Sequence, residues 1–237
     1  MEARSLFWEF LRGLEGEVSS ALEELGEGRA FHMVDVHVSA FLALKSALEG
    51  AYGPGELSRS LFFSCLDSVI SSFLWAQLAL LTRNCQLAFR ELRWVMELSC
   101  RSWLLDLLYP HDEPSRKLLK GLSLEKKRRE VLPPGWRLVK KALEALRDFE
   151  LERDERLRIR KAWKELNRHV HAVPASAHYT GLVGRLLEIS DVASDVTITL
   201  ALDAFPRARG GMASFLSGKA WRSYLPMTYR CLKPYLG

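Results

Sequence analysis

Six polar residues in the second half of a long apolar run are the first place where this chain could do chemistry. Arg83, Gln86, Arg90, Arg93, Glu97 and Arg101 recur at helical spacing. At 3.6 residues per turn they fall within one sector of about 80°. Trp94, Leu87 and Leu98 border that sector on one side, and Phe89 and Met96 on the other. Arg93, Glu97 and Arg101 follow one another at i, i+4, so Glu97 stands between two guanidiniums. A chain reversal near residue 83 brings Asp67 level with the Glu97–Arg101 turn. Two readings stay open. The stripe is a buried ion network that fixes helix register, or it is a guanidinium-lined groove that holds phosphate or carboxylate through bidentate donors.

The second candidate ends a later helix, where Trp163 to His171 reads WKELNRHVH ahead of Pro174. Arg160, Lys164, Asn167 and His171 share one helical face. Histidines in a last turn interact with unpaired carbonyls and the negative end of the helix dipole. The chemical reading makes His171 a general acid or base, oriented by Asn167 and flanked by the Arg160 and Arg168 guanidiniums. His169 and His171 point about 200° apart on a helix, and no Glu-x-x-His pair occurs. No metal site is expected here, therefore. The third candidate is basic: Lys126, Lys127, Arg128 and Arg129 in the middle, and a tail with Arg207, Arg209, Lys219, Arg222, Arg230 and Lys233. Trp221, Tyr224, Tyr229 and Tyr235 interleave the tail, an arrangement suited to base stacking and equally to packing. No Gly-rich phosphate loop and no Gly-x-Ser-x-Gly elbow is present, so no cofactor is expected.

Charge is unevenly placed along the 237 residues. Residues 1–60 carry a net −5 and residues 110–171 a net +7, whereas 204–237 carry +6 and no acid. The basic segments fit an anionic partner or plain solubility. Four cysteines (Cys65, Cys85, Cys100 and Cys231) form no CxxC pair, the pattern of reduced thiols in a cytoplasmic protein. The chain starts with an acidic amphipathic segment rather than a basic region and an apolar run, so no signal peptide is expected. Arg outnumbers Lys 23 to 11, and Asn and Gln occur twice each, a composition shared with proteins of hot environments.

These residues need helices to position them. Apolar residues at Leu6, Phe10, Leu14, Val18, Leu22 and Leu25 predict a first helix over 3–25, stopped by Gly26. A second runs from about His32 to Tyr52. Glu56 to Tyr109 then continues for 54 residues without Gly or Pro. As one helix it would be about 80 Å long, against a radius of gyration of about 18 Å for a domain of this size. It must break near Thr82–Cys85 into a central antiparallel hairpin of about residues 57–82 and 84–109. Leu61–Leu81 has the length of a membrane span, but Asp67, Gln77 and four serines lie inside it, so a core helix and no membrane association are expected. Short helices follow at Ser115–Lys120 and Leu124–Val131, then helices over Trp136–Phe149, to about His171, and over Tyr179–Phe205. The tail holds one or two more, interrupted by Pro226. The class is all-α, one multi-helix bundle domain over residues 1–237.

An all-α layout with Asn167-x-x-x-His171 near a helix end resembles the HEPN group of helical domains. The resemblance implies a homodimer acting on RNA or in toxin–antitoxin pairs, many members being metal-independent ribonucleases. That group carries Arg immediately before the Asn. Here the position is Leu166, and Arg168 is too close to His171. The expectation is therefore a non-catalytic helical module that binds RNA or a partner protein. The alternatives are a ribonuclease using His171 with Arg160 or Arg168, and an assembly protein whose stripe is only an ion network.

Overall fold

The computed structural model describes residues 3–127, 132–171, 178–217 and 221–236, with side chains from residue 12 onward except at 124–127 and 171. Helix α1 spans Ala3–Leu25 and stops at Gly26, whose φ of 70° suits a residue without Cβ. One turn, α2 (Glu27–Ala30), leads to a π-helix over Met33–Val38, and α3 covers Ser39–Ala51. After α4 (Pro54–Leu57) come the two long helices, α5 (Leu61–Leu81) and α6 (Cys85–Leu108). Next are α7 (Pro114–Lys127), α8 (Trp136–Glu144), α9 (Arg153–His171) and α10 (Tyr179–Ala204). The end is built from a 3-10 turn (Pro206–Ala208), α11 (Arg209–Phe215), α12 (Trp221–Tyr224), α13 (Pro226–Leu232) and a closing 3-10 turn. No strand occurs among the described residues, so the protein is all-α, a multi-helix bundle.

The hairpin forms, with tighter bounds than the apolar pattern gave. Residues 54–60 are a separate turn, because Ser60 caps α5 by accepting the Phe63 N–H at 3.0 Å. At the reversal, Asn84 caps α6 by accepting from the Leu87 N–H. Arg83 adopts a left-handed φ of 56°, unusual for a residue with Cβ. Its guanidinium is held by Glu24 at 2.8 Å, Glu17 at 3.2 Å and Ser20 at 2.9 Å, and lies over the Tyr179 ring. Helix α6 is the hub: α5, α8, α9 and α10 all pack against it. Leu92, Val95, Met96 and Cys100 are wholly buried there. Helix α5 is the one described helix long and apolar enough to cross a membrane, and half of its apolar window is buried in the fold.

Three expectations are corrected. Helix α7 runs unbroken from Pro114 to Lys127, so no break separates the two short helices expected at Ser115–Lys120 and from Leu124. Of the second short helix, residues 128–131 lie outside the described residues. Helix α8 ends at Glu144 rather than Phe149, because the Arg147 and Asp148 N–H groups donate to Asp203 Oδ1 at 2.8 and 3.1 Å and leave the helical path. Pro226 starts α13 rather than interrupting a helix, as its missing N–H is harmless in a first turn.

One ion pair ties the hairpin to α7. Asp106, at the end of α6, accepts from Ser60 Oγ (2.7 Å), Leu61 N (2.9 Å) and Phe62 N (3.0 Å), so it neutralises the positive end of α5. Lys117 of α7, fully buried, donates to Asp106 at 2.7 Å and to the Arg59 carbonyl at 2.6 Å. Removing one partner strands the other charge. Asp106→Ala is expected to lower unfolding free energy by about 3–5 kcal/mol, read from urea denaturation. Asp106→Ala/Lys117→Met should recover part of that loss.

Candidate functional site

The stripe on α6 divides when its side chains are placed. Arg83 belongs to the hairpin turn. Gln86 donates from Nε2 to the Val170 carbonyl at 3.0 Å, so a glutamine of α6 satisfies a carbonyl in the last turn of α9. Arg93 Nε donates to Glu97 Oε1 at 3.0 Å, and its guanidinium lies 5.5 Å over the Trp163 ring. Arg90 is exposed and has no partner among the described residues. Arg101 is half-buried and engaged within the fold. Arg90, Arg93 and Glu97 line a hollow of about 390 Å³ with Glu91, Trp94 and Val170. The stripe is thus neither wholly buried nor wholly free.

Asp67 does not join it. Being level with Glu97 along the hairpin is not enough, since Asp67 faces away from α6 and pairs with Lys45 of α3 at 2.7 Å.

Helix α9 carries the second hollow. Trp136, Leu143, Leu151 and Leu157 make an apolar floor, rimmed by Lys140, Arg153, Arg156 and Arg160, in a cavity of about 620 Å³. Lys140 reaches Glu144 at 3.6 Å and Arg156 reaches Glu150 at 3.9 Å. Arg153 and Arg160 have no partner among the described residues. Trp163, almost fully buried, lies between the hollows, with ring centroids 6.5 Å from Trp136 on one side and the Arg93 contact on the other. Arg168 lines a different cavity of about 490 Å³ between α9 and α10, with Arg158, Lys161, Arg185 and Asp191. Arg160 and Arg168 therefore do not converge. Asn167 is half-buried, and the His171 side chain lies outside the described residues. His169 is buried against Phe89, rings stacked at 4.5 Å, with Nε2 3.3 Å from Glu165 Oε2 in a poorly aligned contact and Nδ1 lacking a hydrogen bond.

Of the basic segments, the Lys126 and Lys127 side chains, all of Arg128 and Arg129, and Lys219 fall outside the described residues. Arg207 is paired with Glu56 at 2.6 Å and lies over the Tyr52 ring, while Arg209 is paired with Asp148 at 2.8 Å. Both staple the tail to the body. The four cysteines are free thiols. Burial pushes Cys65 and Cys85 up to about 11 and Cys100 higher still, so they are poor nucleophiles.

Sequence reasoning missed a polar cluster behind the third cavity. His32 Nε2 sits 2.8 Å from Asp191 Oδ1, and His37 Nε2 sits 3.1 Å from the same oxygen and 3.0 Å from Ser190 Oγ. Burial drives His37 below its ordinary value against the pull of Asp191. Burial also pushes Asp191 up, but the two histidine hydrogen bonds outweigh it and hold the carboxyl low. The histidines are five apart, which on an α-helix means about 140° of separation. Only the π-helical turn, with its i to i+5 repeat, turns both toward α10. The spacing in the sequence was a signal only for a reader expecting that turn.

One turn further along α10, Asp195 is fully buried and accepts from Met227 N (3.1 Å), Thr228 N (2.8 Å) and Arg158 (3.3 Å). Burial raises it to about 6 despite these donors. An acid whose folded pKa lies above its unfolded value binds more protons folded, so stability falls as pH rises between about 4 and 6. Asp195→Asn should remove that fall, visible as a difference in urea midpoint between variant and wild type that shifts in the variant's favour as pH rises across this window. Comparison of the chain with known protein families, with curated proteins and with solved structures finds no match.

Proposed function

We propose that this protein is a non-catalytic helical module that binds single-stranded RNA across the face formed by α6, α8 and α9. One observation carries the reading. Each of the two hollows on this face pairs a tryptophan with arginines that have no acidic partner, Trp94 with Arg90 and Trp136 with Arg153 and Arg160. Trp94 is half exposed, at 52%. Bases stack on aromatic faces while guanidiniums take the phosphates, without needing sequence-specific readout. The α9 face through Arg160, Lys164 and Asn167 runs between the hollows, spanning about 15 Å from Arg160 to Val170. Helix α9 carries seven basic residues against three acidic ones, which supports an anionic partner. The partial HEPN resemblance is consistent with an RNA ligand, and its missing motif Arg with binding rather than cleavage.

Fluorescence anisotropy with a labelled single-stranded RNA tests this. Affinity should fall steeply with salt, and the Arg90→Ala/Arg153→Ala/Arg160→Ala variant should reduce the log–log salt slope by about 2. Trp94→Ala and Trp136→Ala should each weaken binding by about 1–3 kcal/mol. Absence of binding at low salt sinks the reading and leaves a protein partner. RNA recovered shortened by the wild type, but intact with His171→Ala, replaces binding with ribonuclease activity.

The same reading places the protein in a reducing cytoplasm, in keeping with four free thiols, and as a homodimer. Leu74, Trp75 and Leu78 stand exposed on the outer face of α5, an apolar patch suited to a second copy. Light scattering should report a dimer, with Trp75→Arg shifting it to monomer. A wild-type monomer at all concentrations excludes the pairing.

A further inference from the structure

The cluster of His32, His37 and Asp191 takes no part in the RNA face. We propose that it is a binding site for a divalent transition-metal ion of the zinc type, leaving a fourth position for water or an exchangeable ligand. The donor set fits that class: two neutral imidazoles and one carboxylate suit zinc and its neighbours, whereas calcium and magnesium take oxygen ligands. The geometry is close to that needed. Nitrogen and oxygen ligands at about 2.0–2.2 Å from a tetrahedral ion stand about 3.3–3.5 Å from one another. Here Asp191 Oδ1 lies 2.8 and 3.1 Å from the two Nε2 atoms, and all three ligand atoms fall within 4.8 Å of each other. The two Asp191–imidazole separations must open by about 0.2–0.7 Å to admit the ion.

The surroundings are those of a built site. His37 is fully buried and His32 is 12% exposed, so both rings are held by packing, with centroids 5.2 Å apart and His32 edge-on to Tyr224. The Ser190 hydroxyl donates to the Leu187 carbonyl at 2.7 Å and can only accept from His37 Nε2. Facing two acceptors, His37 Nε2 carries the ring proton here; with an ion bound that proton leaves and the neutral ring holds its proton on Nδ1, which is buried without a partner. Asp191 also forms part of the wall of the cavity between α9 and α10, beside Lys161 and Arg168, which have no acidic partner among the described residues. An anion entering from that side meets these cations, interspersed with Glu165 and Glu188, on its way to the ion.

Isothermal titration of the chelator-stripped full chain with Zn²⁺ tests the site. One equivalent should bind and raise the melting temperature, since binding to the folded state stabilises it. His37→Gln and Asp191→Asn should each weaken binding more than about 100-fold, beyond the cost of losing an outer-shell partner. His111→Gln, at an exposed position, should not. Should either variant fail to fold, X-ray absorption of the zinc-loaded wild type gives the answer alone. It should show imidazole and oxygen scattering without sulfur. Sulfur in the shell, no binding at all, or binding unchanged in both folded variants overturns the assignment and leaves a histidine–aspartate hydrogen-bonded cluster.

Discussion

A fold made of many short helices has many helix ends, and each end inside the protein presents unpaired backbone groups, N–H at the start and C=O at the finish, that must find partners. This protein meets that constraint with carboxylates sent from other helices. Asp106 of α6 takes the N-terminus of α5, Asp195 of α10 takes that of α13, and Asp203 of α10 takes the two N–H groups that follow α8. Each joins elements distant in the chain, so element order and packing are locked by the same bonds. A carboxylate so used must be desolvated. Lys117 offsets that cost at Asp106, and Arg158 does so in part at Asp195.

Helix α10 illustrates how far this goes. From Ile189 to Asp203 it is buried apart from the partly exposed Asp191, yet it carries Ser190, Asp191, Ser194, Asp195, Thr197, Thr199 and Asp203. Thr197 donates to its own helix at Ala193 and reaches Ser99 of α6, and Thr199 meets Thr228 of α13. Its polar residues serve as attachment points for α6, α13, the loop after α8 and the π-helix. Outside this interior network, four cations of α9 have no such duty, unlike Arg158. Arg153, Arg160, Lys161 and Arg168 keep their charges unpaired at the rims of cavities, where a ligand could take them.

Much of the fold was legible in the sequence. The apolar run of α5 carried Gln77 and several serines, and the structure makes it a core helix with one outer face. Its limits were less legible. Ser60 resembles any other serine in that run until Asp106 arrives from the far end of α6 and fixes the start. The site was legible in pieces. Helical spacing put Arg90, Arg93 and Glu97 on one face and Arg160 on another, but gave no way to see that Trp163 lies between them. Asp67 was misplaced because antiparallel register gives a height along the hairpin and not a direction around it.

Periodicity, composition and the length limit on a single helix determined by themselves that this chain is all-α and built on a hairpin reversing near residue 83. They depend only on local backbone geometry and on the burial of apolar side chains, which act at every position alike. Tertiary structure alone decided which charges are spent on the fold and which are left over. Arg207 and Arg160 look equivalent in the sequence, yet one meets Glu56 from a helix about 150 residues away in the chain and the other meets no acid. It also decided that His32 and His37 share one carboxylate. That pairing needs a π-turn and a carboxylate 159 residues on from His32, and no local pattern encodes the meeting.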